Sequence, residues 1–127
     1  MGAGLSNLEN SYGTVTATPR VIAFHSKDQW KAHFDASKET NKLLVIDFTA
    51  TWCGPCKFME PAFKDFSAKY TDVDFIKIDV DELQSVAREF GVEAMPTFLL
   101  IKKGKVVDKV VGARKDELQK KIEKHRA

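Results

Sequence analysis

At 127 residues the chain is long enough for one domain with a real hydrophobic core and too short for two. Its 43% apolar and 30% charged residues are those of an ordinary globular protein. The formal charge is +2, with Lys and Arg interspersed among Asp and Glu, which argues against a nucleic-acid footprint. No apolar run approaches the roughly 18–20 residues that a membrane-spanning helix needs.

Residues 1–19, MGAGLSNLENSYGTVTATP, are rich in Gly, Ser, Thr and Asn and have no periodicity, so they read as a flexible tail ending at Pro19. Gly2 followed by Ser6 fits M-G-x-x-x-[ST], the pattern for N-myristoylation after Met1 is removed; an unmodified tail is the competing reading. The tail has no cysteine for a second acyl chain, and one myristoyl group gives only marginal, reversible membrane attachment. The apolar h-region of a secretory signal and any N-x-[ST] acceptor are both absent. A reducing, cytoplasmic compartment is therefore expected, where a close cysteine pair reads as catalytic or metal-binding.

A compact domain is expected over residues 20–127. RVIAF (20–24) reads as a short strand. Ser26 and Gln29 form an S-x-x-Q capping box opening a helix with Trp30 and Phe34 on one face. LLVIDFTA (43–50) is a nearly continuous run of branched apolar residues, the signature of a strand covered on both faces. From Cys53 to about Tyr70 a helical pattern places Phe58, Met59, Ala62, Phe63 and Phe66 at three- and four-residue spacing. Pro61 lies inside it and predicts a kink, because its missing N–H breaks the ladder. VDFIKID (73–79) is a third strand; Asp81 is expected to cap a helix through Glu82–Phe90, with Gly91 at its left-handed exit. TFLLIK (97–102) and KVVDKVV (105–111) flank Lys103-Gly104 and predict an antiparallel hairpin. A last helix covers about Lys115–Lys124, its alternating charges forming a solvated face. The order βαβαβαββα implies an α/β protein, a mixed sheet with helices on both faces. Dinucleotide, P-loop, serine-hydrolase and zinc-protease motifs are absent.

Both cysteines of the chain lie in TATWCGPCKFMEP, residues 49–61. As a permanent staple the pair closes so short a ring that a chain-entropy estimate gives it only about 2 kcal/mol. As a structural zinc site it supplies two ligands where four are needed, and His25, His33 and His125 are scattered singly. As a redox pair its placement makes physical sense, at the end of a buried strand and the start of a helix. The free N–H groups and positive dipole end of that helix stabilise a thiolate, making Cys53 the nucleophile. Cys56, one turn on and deeper, is the resolving thiol. Gly54 allows close approach of a target chain, and Pro55, in a first turn where an N–H would be orphaned anyway, restricts the backbone and tunes the dithiol–disulfide balance.

WCGPC after a buried strand, with Met-Pro-Thr before a hairpin, resembles thioredoxin, and TATWCGPCKFMEPAF resembles the plant h-type thioredoxins in particular. The resemblance covers about residues 20–125. It implies a central five-stranded mixed sheet in the order β1-β3-β2-β4-β5 flanked by four helices. It also implies protein-disulfide reduction with no bound cofactor, electrons coming from NADPH through a thioredoxin reductase, at a potential of about −270 mV, the value typical of thioredoxins. The expected partners are that reductase and disulfide-containing targets, met by a monomer, with membrane contact only through a lipidated Gly2.

Other positions match the family pattern with physical arguments of their own. Asp47 interrupts an apolar strand; desolvation should raise its pKa, which suits a proton acceptor for Cys56. A carboxylate merely satisfied by Lys77 on the neighbouring strand is the alternative. Pro96 matches a cis-proline that would present the Met95 backbone to an extended substrate segment. Gly112-Ala113 matches a small-residue turn lining the same groove, and Trp52 would form its rim beside the sulfurs. Two rival functions share these features. A thiol oxidase or isomerase of the same fold often carries His in the dipeptide, which is Gly-Pro here, and a non-enzymatic binding module or holdase would use the groove without its thiols.

Overall fold

The structure is a computed structural model and describes residues 18–127. The expected tail through residue 17, Gly2 included, lies outside the described residues. Nine elements follow in the expected order: β1 (Val21–Phe24), α1 (Lys27–Ser37), β2 (Leu43–Thr49), α2 (Gly54–Lys69), β3 (Val73–Asp79), α3 (Gln84–Glu89), β4 (Thr97–Lys102), β5 (Lys105–Val111) and α4 (Lys115–His125). The strands form one sheet in the order β1-β3-β2-β4-β5, as the family resemblance implies. β1, β3 and β2 run parallel, and β4 and β5 join antiparallel.

Every residue of β2 is buried, because the strand is central and covered on both faces. Strand alternation then sorts its side chains into two cores. Leu43 and Val45 pack with Phe75, Phe98 and Leu100 under α2 and α4. Leu44, Ile46 and Phe48 pack with Ile76 and Ile78 against Trp30 of α1 and Val86 of α3. Asp47, in step with Leu43 and Val45, belongs to the face under α2.

Local signals explain most boundaries. Ser26 Oγ accepts the Gln29 N–H at 3.4 Å and opens α1. Lys103 (φ 51°) and Gly104 (φ 79°) occupy the left-handed region that a tight two-residue hairpin requires. Helix α2 runs continuously through Pro61, which has no N–H to offer the carbonyl one turn back. Its C-terminal neighbour Tyr70 is buried, donates its hydroxyl to Glu123 Oε2 at 2.6 Å and accepts from Gln119 Nε2 at 3.0 Å, tying α2 to α4. At the other end of α4, Lys102 Nζ donates to the carbonyls of His125 (2.8 Å) and Ala127 (3.0 Å). Asp108 of β5 meets Lys121 Nζ and His125 Nε2, each at 2.9 Å. Burial opposes its ionisation, yet those hydrogen bonds outweigh it and hold the carboxyl well below the usual carboxylate range.

One helix start differs from expectation. Asp81 does not cap α3; the cap is Leu83, with no side-chain hydrogen bond, and the helix covers only Gln84–Glu89. Asp79 wins the local competition, its Oδ1 accepting the N–H groups of Asp81 (2.8 Å) and Glu82 (3.4 Å). That tight turn delays the helix by two residues and leaves the Asp81 carboxylate free for another donor.

Candidate active site

The β2–α2 junction sets the two sulfurs. β2 ends at Thr49, and the Cys53 N–H donates to the Ala50 carbonyl at 3.2 Å, turning the chain into the helix. Cys53 is the N-cap of α2, with extended backbone (φ −92°, ψ 111°), and its Sγ accepts the Cys56 N–H at 3.2 Å. Sulfur stands where Ser, Asp or Asn ordinarily caps a helix. Gly54 and Pro55 occupy the first turn, where no intrahelical N–H donor is needed.

Cys53 and Cys56 are joined in a disulfide, with Cα atoms 5.3 Å apart. The pair is nearly closed off: Cys53 is 4% exposed and Cys56 1%, the ranking the sequence suggests. Ala50 packs against the sulfurs, and Val80 and Met95 complete the apolar contact. The Met95 carbonyl oxygen lies 3.7 Å from Cys53 Sγ. In the disulfide that sulfur carries no proton, so this is a close approach rather than a hydrogen bond.

The Met95–Pro96 peptide bond is cis. Pro96 is buried, Met95 is half-buried, and the Pro96 carbonyl accepts the Gly112 N–H at 2.8 Å. Gly112 has φ 97°, a conformation that disfavours any side chain there, and Ala113 beside it is exposed. The cysteine turn, the proline and the Gly112 turn therefore meet at one end of the sheet. Trp52 stands 65% exposed and donates its indole N–H to Asp81 Oδ2 at 2.9 Å. The orphaned cap residue of α3 is thus the anchor of the rim tryptophan. Ala50, Val80 and Asp81 are the neighbours that sequence reasoning missed; only their adjacency to strand ends could have flagged them. Phe58, on the helix just after the sulfurs, is 70% exposed and adds an unforeseen apolar side chain to this end.

A disulfide quenches a neighbouring indole. Reducing the wild type is therefore expected to raise tryptophan emission, and Trp52→Phe to remove most of that rise. An undiminished rise in the variant would assign it instead to the buried Trp30.

Asp47 is 2% exposed, and its Oδ1 has no hydrogen-bond partner. Burial pushes its pKa up; Lys77 pulls the other way and Glu60 adds to the rise, leaving it at about 7. Lys77 sits beside Asp47 in register on β3, as expected. The expected alternative of a carboxylate satisfied by that lysine does not fit, because Lys77 Nζ turns to Glu60 Oε2 at 3.5 Å. Beside this pair, Lys57, Thr49 and Asp79 help line a cavity of about 310 Å³ open to solvent. Among the described residues no cluster of His, Cys, Asp and Glu is arranged to hold a metal ion, and no helix is long and apolar enough to cross a membrane.

The sequence model of the thioredoxin family matches residues 21–124. The chain belongs to the thioredoxin family. Among curated relatives, thioredoxin H2 of Arabidopsis thaliana is 51% identical over all of this chain and all of its own length. Thioredoxin H2-2 of Oryza sativa subsp. japonica is 61% identical over 81% of this chain and 78% of its own. Among solved structures, the crystal structure of thioredoxin NaTrxh from Nicotiana alata superposes with a TM-score of 0.86. It is 67% identical and covers 91% of this chain and 100% of its own. This thioredoxin is of the plant h-type, and its paired cysteines make it a thioredoxin-type disulfide oxidoreductase.

Proposed function

We propose that this thioredoxin works as a protein-disulfide reductase in the cytoplasm, re-reduced by an NADPH-dependent thioredoxin reductase. The observation that carries the reading is the Cys53–Cys56 disulfide closed over the N-terminus of α2, with Cys53 Sγ as the capping acceptor. In the reduced protein the same N–H groups favour a thiolate at Cys53 over a thiol.

The reaction balances in two exchanges. Cys53 thiolate attacks one sulfur of the target disulfide; a mixed disulfide forms, and the other target sulfur leaves as a thiolate that takes up a proton. Asp47 carboxylate then takes the proton of Cys56. The new thiolate attacks Cys53 Sγ, expelling the second target sulfur, which is protonated in turn. Two electrons pass to the target, and the protein is left as its Cys53–Cys56 disulfide. A pKa of about 7 suits Asp47 to this role, being basic enough to accept a proton and still substantially ionised near neutrality.

Target segments dock, on this reading, over Trp52, Met95, Pro96, Gly112 and Ala113. An extended strand pairs with the Met95 backbone beside the sulfur it must reach. Gly54 leaves the approach to Cys53 open, and Pro55 tunes the redox balance. The domain spans residues 20–127, acts as a monomer and binds no cofactor; lipidation at Gly2 would supply its only membrane contact.

Cys56→Ser tests the scheme. Mixed with an extract, the variant should hold target proteins as mixed disulfides through Cys53 that dithiothreitol releases, while Cys53→Ser, Cys56→Ser holds none. Full disulfide-reducing activity in the double variant would overturn the scheme in favour of a thiol-independent binding module. An equilibrium with glutathione near −180 mV would favour an oxidase or isomerase instead.

A further inference from the structure

Asp47 is a buried carboxylate with a cation in the next-door position that leaves its Oδ1 unpartnered. Alternation puts Lys77 on the same sheet face as Asp47, since both are in step with the residues that pack under α2. An ammonium within contact of a carboxylate lowers its pKa by about 1–3 units. A lysine turned onto Asp47 would make it a permanently ionised, weakly basic partner.

Glu60 changes that outcome. It lies four residues after Cys56, so both project from one face of α2. Its Oε2 holds Lys77 Nζ at 3.5 Å, beside the solvent-open cavity that Glu60 and Lys77 line together. The Glu60 and Lys77 side chains are 43% and 40% exposed, so this ion pair adds little to stability. Its consequence is geometric.

We propose that Glu60 is a positioning residue for the proton step: by drawing the Lys77 ammonium toward the cavity, it keeps that cation from pairing directly with Asp47 and so leaves the carboxylate a stronger base. The inference deepens the assignment of Asp47 as the base for Cys56 and rests on it. The charges that act on Asp47 are Lys77 and Glu60; Lys57 of α2 and Asp79 of β3 line the cavity beside that pair. On β4 the residue in register is the apolar Phe98. His25 and Glu82, on the cavity's outer rim, pair with each other at 2.8 Å.

The test is a carbon-13 NMR titration of the Asp47 carboxyl in the reduced, full-length protein. It is run alongside the pH profile of target release from a preformed mixed disulfide. Glu60→Gln should move both midpoints down by about one pH unit, and Lys77→Met should move them up. In the Lys77→Met background, Glu60→Gln should move them less than half as far, because the lysine it steers is gone. A Glu60→Gln midpoint that stays put or rises overturns the inference. So does an equal shift in both backgrounds, which would make Glu60 a direct repulsive charge only. Asp47→Asn separates the two levels. If it leaves the release rate and its pH profile unchanged, the base assignment itself falls. If it flattens the profile while Glu60→Gln does nothing, only the role of Glu60 falls.

Discussion

Replacing Asp47 by alanine is expected to make the protein more stable at about pH 8 and slightly less stable at about pH 4. Burial raises this carboxyl to about 7 in the folded chain, whereas the unfolded chain leaves it in the ordinary range near 4. Between those two values the folded state keeps a proton that the unfolded state has lost, so stability falls as pH rises through that window. It levels off above about 7, where both states are ionised. The accumulated loss is roughly 4 kcal/mol, because about three pKa units each correspond to some 1.4 kcal/mol. Alanine removes that loss but costs about 1–2 kcal/mol in packing at every pH. The net expectation is a gain of roughly 2–3 kcal/mol at about pH 8, read from denaturant midpoints at the two pH values. A difference between wild type and variant that ignores pH would show that Asp47 stays ionised in the fold. In the same variant, target release should slow, so one side chain trades stability for a proton-transfer step.

Reduced Cys53 is expected to react with iodoacetamide at about pH 6.5 roughly five to ten times faster than a peptide thiol, while Cys56 stays slow. A free thiol with a pKa near 8.5 is only about 1% ionised there. A thiol at a helix N-terminus with a pKa near 6.5–7 is ionised by tens of per cent, and the accompanying loss of intrinsic nucleophilicity removes only part of the gain. Geometry supplies the difference between the two sulfurs. Cys53 Sγ receives the Cys56 N–H and is the slightly more exposed, whereas Cys56 is 1% exposed behind it. Peptide mapping after a short pulse of reagent reads which sulfur was labelled. Equal labelling of both at a peptide-like rate would remove the physical basis for calling either one a nucleophile.

The elements most legible in the sequence were those set by local pattern. The branched run 43–50 reads as a strand buried on both faces and is one over Leu43–Thr49, and VDFIKID and the TFLLIK–KVVDKVV pair match their observed bounds. The cysteine turn was legible because a strand end, a helix start and a Gly-Pro pair coincide there. What escaped were outcomes of competition between equally plausible partners. Asp79 and Asp81 are both able to cap, and the one nearer the strand end captured the backbone N–H groups. Lys77 has four methylenes of reach, and nothing in FIKID says whether it turns to Asp47 or to Glu60 on another element. The register shift between Leu100 and Ile101, where β5 carries an extra residue, likewise has no local signature in KVVDKVV. The cis state of Pro96 was expected from the resemblance, since Met-Pro-Thr by itself fits an ordinary strand entry equally well.

The Lys102 clasp on the backbone at His125 and Ala127 has a practical corollary for anyone handling the molecule. Thr97, at the start of β4, pairs with Phe48 close to the cysteine turn, whereas Lys102 ends that strand at the opposite pole of the sheet, about 17 Å away at strand rise. A fluorophore or surface linker attached at the His125–Ala127 end would therefore sit at the pole of the sheet away from the cysteine turn.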